Sequence, residues 1–120
     1  MSKRVKINTL GSLYENIADC YECDEDGVIY GFYGKPMKTT YYRKREYGYQ
    51  GITLSLSGGG RTHKAVSRII ALAFVDGRTE EKNEVDHIDD NPRNNKASNL
   101  RWVSRKENMR KMWKRRKEKQ

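Results

Sequence analysis

The segment between residues 85 and 113 constrains the fold more strongly than any other part of the chain. Two short segments that begin and end with apolar residues, 85–88 and 100–103, flank a loop rich in Asp and Asn, a pattern that predicts two strands joined by a polar loop. Ser104 and Glu107 then have the S-x-x-E spacing of a capping box, so a helix is predicted to begin directly after Ser104. The segment therefore predicts two strands followed at once by a capped helix.

Apolar periodicity predicts how two helices are anchored. The C-terminal helix carries apolar residues at spacings of three and four, and we expect them to hold it to the domain: Met109, Met112 and Trp113. An earlier helix is predicted from the i, i+3, i+4, i+7, i+8 pattern of five apolar residues and should end near Gly77: Val66, Ile69, Ile70, Ala73 and Phe74.

The first half of the chain reads as short strands and turns. DEDG at 24–27 is a turn signal followed by the β-rich run VIYGFY, and residues 52–56 alternate strictly between apolar and polar. SGGGR at 57–61 predicts a flexible loop. We therefore predict an α+β protein in one compact domain, with a small antiparallel β region at 1–60 and the strand–loop–strand–helix unit within 61–120.

The net charge of +9 is unevenly distributed. Residues 105–120 contain nine Lys or Arg and two Glu, a charge of +7, which leaves +2 for the rest of the chain. A basic run of this kind favours a polyanionic partner, most often nucleic acid, although a solvated helix or an unstructured tail fits the charge equally well. No apolar run has the length of a membrane span, and no signal peptide precedes the polar N-terminus, so we expect a cytoplasmic protein without membrane contact.

The two cysteines form a single C-x-x-C, Cys20 and Cys23. A structural zinc site would need two further ligands, and the histidines available are His63 and His87. We expect reduced thiols, with zinc as the alternative.

The loop at the first predicted strand end carries the residues with possible chemistry. Neither Asp24 nor Asp86 begins the ligand series of an EF-hand, and the zinc motif H-E-x-x-H is absent. Asp86 offers a carboxylate and Asn108, one turn into the capped helix, offers an amide oxygen. Such oxygen ligands favour one Mg²⁺ or Mn²⁺ ion, and the neighbouring His87 could act as a general base on water. Asp86 and His87 can serve one phosphate only if the strand ends there.

VDHIDDNPRNNKASNLRWVSRKEN at 85–108 closely resembles the HNH endonuclease family, in the homing-endonuclease branch typical of bacteriophages and mobile introns. RTHKAVSRIIALAFVDG at 61–77 resembles the helix that precedes this motif in the same branch, and YECDEDGVIYG at 21–31 weakly resembles an N-terminal strand motif of these nucleases. The sequence departs from many relatives at Asn108, where they carry His, and at Asp90, where they carry Gly.

The resemblance implies a ββα-metal (HNH, or His-Me finger) fold of the H-N-N variant. It implies that His87 is the general base, that Asp86 and Asn108 bind one divalent ion, and that Asn99 ties the loop by hydrogen bonds and helps to orient His87. It further implies a DNA endonuclease that leaves 5′-phosphate and 3′-hydroxyl ends, in a bacterial or phage-infected cell. Trp102 is expected to pack in the core.

Double-stranded DNA is the predicted partner of a monomer or weak dimer. The residues expected to contact DNA are all basic: Arg68, Arg101, Arg105, Lys106, Arg110, Lys111, Lys114, Arg115 and Arg116. Base readout is expected from the strands and tyrosines of residues 30–56. Two alternatives remain, a catalytically inactive DNA-binding or regulatory protein on the same scaffold and an RNA-binding module.

Overall fold

Three antiparallel sheets and two α-helices build the described part of the chain. The structure is a computed structural model that describes residues 3–44 and 47–118, with backbone but not side-chain detail at 44, 47 and 115–118. This α+β arrangement confirms the predicted fold class.

The first sheet has the order β1 (Arg4–Lys6), β2 (Glu22–Asp24) and β3 (Ile29–Tyr30). The DEDG turn joins β2 to β3 as predicted, because the Asp24 carboxylate accepts hydrogen bonds from the backbone amides of Asp26 and Val28. The same carboxylate accepts a hydrogen bond from the Tyr30 hydroxyl, which raises the pKa of Tyr30. The turn is therefore closed by its own first side chain.

The second sheet has the order β4 (Thr40–Lys44), β5 (Tyr47–Ser55) and β6 (Arg61–Ala65). The alternating run predicted at 52–56 lies in β5, and a glycine-rich turn connects β5 to β6. β6 lies within the predicted nuclease region, yet it pairs with β5 from Gly51 opposite Ala65 to Ser55 opposite Arg61. The sheet therefore crosses the boundary between the two predicted regions.

The helix α1 (Val66–Phe74) lies at the centre of the core. Its buried residues are Val66, Ile69, Ile70 and Ala71, and the helix contacts β2, β5, β6, β7 and β8. The predicted apolar face is thus confirmed, although the helix ends three residues before Gly77 because Val75 is already extended.

The cysteines belong to this core rather than to a disulfide. Cys23 is fully buried and Cys20 is half-buried, and both are free thiols. Burial raises the pKa of the Cys23 thiol to about 12, so this side chain stays protonated at neutral pH.

The predicted strand–loop–strand–helix unit is present. It consists of β7 (Glu84–His87), β8 (Leu100–Val103) and α2 (Arg105–Glu118), with Glu84 opposite Val103 and His87 opposite Leu100. Within the described residues, no helix is both long enough and apolar enough to cross a membrane.

The helix α2 begins with the predicted capping box. The backbone amide of Glu107 donates to Ser104 Oγ and the backbone amide of Ser104 donates to Glu107 Oε1, both at 3.1 Å. The hydrogen bond from the Ser104 amide, followed by one from the Ser104 side chain, lowers the pKa of the Glu107 carboxyl. The start of the helix is therefore defined by local contacts.

The predicted apolar anchor of α2 is wrong. Met109 is 38% exposed, Trp113 is 60% exposed and Met112 is half-buried, and none of the three belongs to the core. Polar side chains make the contacts with β7 instead, through Asn108 and Lys111. The helix docks through hydrogen bonds and charge because its face toward β7 meets carboxylates.

Candidate active site

The end of β7 places Asp86 and His87 side by side. The strand stops at His87, one residue earlier than predicted, and the Asp90 amide donates to the His87 carbonyl oxygen at 2.9 Å to turn the chain. Asp86 is buried, with 4% exposure, and His87 is half-buried. The condition that the strand must end here for both residues to serve one site is met.

The His87 ring is oriented by Asn95, which lies eight residues further along the chain in the same loop. His87 Nε2 lies 2.8 Å from Asn95 Oδ1, and Asn95 is 7% exposed. An amide oxygen can only accept, so this geometry places the proton on Nε2 and leaves Nδ1 as the unprotonated nitrogen. Asn95 therefore selects the tautomer in which His87 Nδ1 can accept a proton.

The N-terminal β region holds Asn95 in place. The Ala97 amide donates to the Glu25 carbonyl oxygen at 2.8 Å. Gly27 has φ +88°, and a Cβ added there would lie 2.8 Å from the Asn95 carbonyl oxygen. The turn between β2 and β3 therefore needs glycine at this point, both for its backbone conformation and for its close approach to the loop.

Asn99 ties the loop together, as the resemblance implied. Its Oδ1 accepts from the Asp89 amide at 3.1 Å, and its Nδ2 donates to Asp89 Oδ1 and to the Asn94 carbonyl oxygen, both at 2.9 Å. Hydrogen bonds from the Asn94 side chain, the Asn91 amide and the Asn99 side chain, in that order, lower the pKa of Asp89. The described side-chain contact to His87 comes from Asn95 and not from Asn99.

Asp86 is surrounded by cationic partners. Arg101 Nε donates to Asp86 Oδ2 at 2.8 Å from the opposite strand. Lys111 Nζ donates to both Asp86 carboxylate oxygens at 3.0 Å from α2. A buried carboxylate is stable only with such compensation, so Asp86 needs a cation beside it.

Asn108 contacts β7 at Glu84, on the face of the strand that also carries Asp86. Its Nδ2 donates to Glu84 Oε1 at 2.9 Å, and Glu84 precedes Asp86 by two residues on one face of the strand. This contact leaves the amide oxygen of Asn108 available. A buried carboxylate that already attracts a cation, with an amide oxygen on the facing helix, fits one hard divalent ion.

In the described part of the chain, no group of three or more His, Cys, Asp or Glu side chains is arranged to hold a metal ion. The candidate ligands of a divalent ion are therefore few, and Asp86 is the buried carboxylate among them. Mg²⁺ commonly binds through one or two carboxylates together with water and substrate phosphate.

The residues expected to contact DNA fall into two groups. Four are exposed along α2: Arg105, Lys106, Arg110 and Lys114. Three make internal contacts instead: Arg68 with Asn83 and the Trp102 ring, Arg101 with Asp86, and Lys111 with Asp86. Arg115 and Arg116 have side chains outside the description. Trp102 is 6% exposed and donates to the Val75 carbonyl oxygen, which confirms its place in the core.

Aromatic rings lie on both faces of the second sheet. The Tyr42 and Tyr49 rings stack at 5.4 Å, and the His63 ring meets Tyr42 edge-on at 4.7 Å. Arg93 of the loop lies 4.2 Å above the Tyr41 ring. Tyr41 therefore contacts the loop, whereas the stacked Tyr42 and Tyr49 rings lie on the opposite face of the sheet; residues 45 and 46 of that run are outside the described residues.

Sequence reasoning missed Asn95 as the partner of His87 and Glu84 as the partner of Asn108. Four asparagines occupy the loop and its end, and nothing in their order distinguishes the one that reaches the histidine. Glu84 carried a usable signal, because a residue two positions from Asp86 on a strand shares its face.

Comparison with known proteins yields three matches. Residues 64–110 match the model of a family described as HNH endonuclease. The DNA endonuclease I-HmuI of Bacillus phage SP01 is 38% identical over 89 residues, which cover 74% of this chain and 49% of that protein. The chain thus spans about half the length of this curated relative.

A solved structure described as DNA binding and cleavage by the HNH homing endonuclease I-HmuI is similar to this fold. The TM-score is 0.73 at 30% identity, and the match covers 94% of this chain and 59% of that chain. The matched family segment runs from β6 into α2 and includes His87, Asp86, Asn99 and Asn108.

Proposed function

We propose, from the premise that this chain belongs to the HNH endonuclease family, that it is a metal-dependent endonuclease that hydrolyses phosphodiester bonds of duplex DNA. One observation carries the proposal. His87, whose tautomer is fixed by Asn95, and the buried carboxylate of Asp86, which requires a cation, lie next to each other at the end of β7. A general base beside a cation site is what phosphodiester hydrolysis by water requires.

His87 acts as the general base. Its Nε2–H donates to Asn95 Oδ1, so Nδ1 is free to take a proton from the attacking water. The hydrogen-bonded loop around Asn99 keeps the ring from rotating away when DNA binds. Asn95 is thus a positioning residue that acts through His87.

Asp86 and Asn108 would hold the divalent ion, Mg²⁺ or Mn²⁺. When bound, this ion supplies positive charge to the scissile phosphate and to the departing 3′ oxygen. Asp86, fixed by β7, and Asn108, fixed by the capped start of α2, orient that charge relative to His87. Water attack at phosphorus with departure of the 3′ oxygen leaves 5′-phosphate and 3′-hydroxyl ends.

The exposed basic face of α2 positions the duplex through its phosphates. Arg105, Lys106, Arg110 and Lys114 give this face charge but no base information, so affinity should fall steeply with salt. Base contacts would come from the tyrosines of the second sheet, of which Tyr41 contacts Arg93 of the active-site loop. The protein would act in the cytoplasm of a bacterial or phage-infected cell, as a monomer or weak dimer.

A supercoiled plasmid incubated with the protein and Mg²⁺ or Mn²⁺ tests the proposal. The wild type should convert it to nicked or linear DNA, and EDTA should abolish the conversion. His87→Ala should bind DNA normally and cleave at least about 100-fold more slowly. Added imidazole, which replaces the missing base, is the control and should restore part of the rate.

A catalytically inactive DNA-binding protein is the second candidate. The observation that favours it is the position of Lys111, whose ammonium already neutralises Asp86. A wild-type protein that binds duplex DNA but cleaves it with no divalent ion would establish this candidate. His87→Ala cleavage at the wild-type rate would instead contradict the assignment of the base.

A further inference from the structure

Four oxygen atoms surround the Lys111 ammonium. Lys111 Nζ lies 3.0 Å from each carboxylate oxygen of Asp86, 2.9 Å from the His87 carbonyl oxygen and 2.8 Å from Asp90 Oδ1. We refer to these four atoms as the Asp86 oxygen cluster. An ammonium held by two carboxylates and a carbonyl occupies the kind of position that a hard cation prefers.

The burial of these groups is uneven. The Asp86 side chain is 4% exposed and the Lys111 side chain is 21% exposed, whereas the other lysines and arginines described on α2 are exposed. Lys111 therefore does not lie on the DNA-facing surface with its neighbours. Together with Arg101, it supplies the positive charge that the buried Asp86 carboxylate requires.

Asp90 reinforces this arrangement. Its backbone has φ 64°, a left-handed conformation that is unusual for residues other than glycine. In this turn the Asp90 amide donates to the His87 carbonyl oxygen, and its carboxylate reaches Lys111. The turn thus directs two of the four oxygens at the ammonium.

Lys111 and Asn108 lie one helical turn apart on the same face of α2. Asn108 is the second proposed ion ligand, so the ammonium enters the cluster from the side of the site where that ligand lies. A divalent ion on Asp86 and the Lys111 ammonium therefore compete for the same oxygen atoms.

We propose that Lys111 occupies the cation position of the Asp86 oxygen cluster in the metal-free protein and is exchanged for the divalent ion when the site is loaded. This inference rests on the proposed function and adds that ion binding requires the ammonium to leave. The displaced side chain is then available to a DNA phosphate beside the other basic residues of α2.

Mn²⁺ binding to the DNA-free protein, measured by electron paramagnetic resonance and calorimetry, tests the exchange. Lys111→Met keeps the length of the side chain and removes the competitor, so it should bind Mn²⁺ at least about tenfold more tightly than the wild type. Lys114→Met removes the same charge one turn further along α2 and is the matched control. It should change the affinity less than about twofold, since an exposed charge is screened.

Two results would overturn the inference. Equal Mn²⁺ affinity of the wild type and Lys111→Met would mean that the ion binds beside the ammonium without displacing it. No Mn²⁺ binding by Lys111→Met would mean that the cluster is not a cation site. Plasmid cleavage is scored separately, so an active wild type with either result would reject the exchange and keep the nuclease proposal.

The wild-type protein provides a test that does not depend on the folding of a variant. The side-chain NMR resonances of Lys111 should move from restrained to solvent-exposed values as Mg²⁺ is added, while those of Lys114 stay unchanged. Lys111 resonances that remain restrained at saturating Mg²⁺ would contradict the exchange.

Discussion

The two residues that end β7 are held in opposite ways. The His87 ring is oriented by a neutral amide, the Asn95 side chain, in a loop that Asn99 ties by hydrogen bonds. Asp86 lies among charges, between Arg101, Lys111 and the nearby Asp90. Neutral hydrogen bonds depend on geometry, whereas ion pairs depend on charge and can exchange one cation for another.

This difference assigns a separate task to each side. The amide side keeps the general base in one orientation and one tautomer, whatever the ionic conditions. The charged side can accept a different cation while the His87 ring keeps its hydrogen bond to Asn95. Mutations can therefore perturb the two sides separately.

Asp86→Asn should produce the largest effect, because it removes the charge of the cation side and keeps the side-chain shape. We expect the single-turnover rate of DNA cleavage to fall on the order of 10³-fold, with DNA binding retained. Asp19→Asn, which removes an exposed carboxylate paired with Lys6, is the matched control and should cleave normally. A nearly unchanged rate in Asp86→Asn would mean that this carboxylate takes no part in the reaction.

Asn95→Ala should produce the next largest effect, on the amide side. Loss of the partner that orients His87 should lower kcat about 10- to 100-fold with little change in KM. Asn95→Asp, which keeps the accepting oxygen, should recover much of the rate. An equal loss in both variants would indicate that Asn95 acts only through loop packing.

Asn99→Ala tests the amide side of the site through the stability of the fold. Three hydrogen bonds of a buried side chain are lost, so the free energy of unfolding in urea should fall by about 2 kcal/mol. Asn91→Ala, which removes one exposed hydrogen bond to the Arg93 amide, should cost less than about 1 kcal/mol. Equal losses would show that the loop is not organised around Asn99.

Lowering the pH should reveal a smaller contribution of Asp89 to the stability of the fold. Its pKa is lowered from 3.8 by hydrogen bonds from Asn94, the Asn91 amide and Asn99. The stabilisation that comes with a lowered folded-state pKa is fully present above the unfolded-state value of 3.8. It is lost as the pH falls from 3.8 through the folded-state value. Asp89→Asn should therefore show a weaker loss of stability on acidification than the wild type. Identical urea midpoints against pH for both proteins would reject this contribution.

The local features of the ββα unit were predictable from the sequence. The Ser104 and Glu107 capping box depends on residues three apart, and the short segments 85–88 and 100–103 specify the strands that flank the loop. Such features need no knowledge of the rest of the chain. The family and the ββα-metal fold were implied by the resemblance of residues 85–108 to the HNH endonuclease motif; residues 64–110 match the model of that family, and the similar solved structure confirms the fold class.

The contacts within the site were not predictable because they join distant residues. Lys111 reaches Asp86 across 25 positions, and in the sequence it is indistinguishable from the other cations of the tail. The orienting role of Asn95 depends on the approach of Gly27, which no local pattern contains. The expected apolar anchor of α2 failed for a related reason, since helical spacing alone does not say which face meets β7.

Anomalous diffraction from crystals of the protein with duplex DNA and Mn²⁺ would show whether Lys111 and a divalent ion share one cation site at Asp86. We expect one strong manganese peak in coordination with the Asp86 carboxylate and the Asn108 amide oxygen, with the Lys111 side chain turned away. A manganese-free Asp86 that still binds Lys111 in the presence of DNA and saturating Mn²⁺ would contradict this expectation.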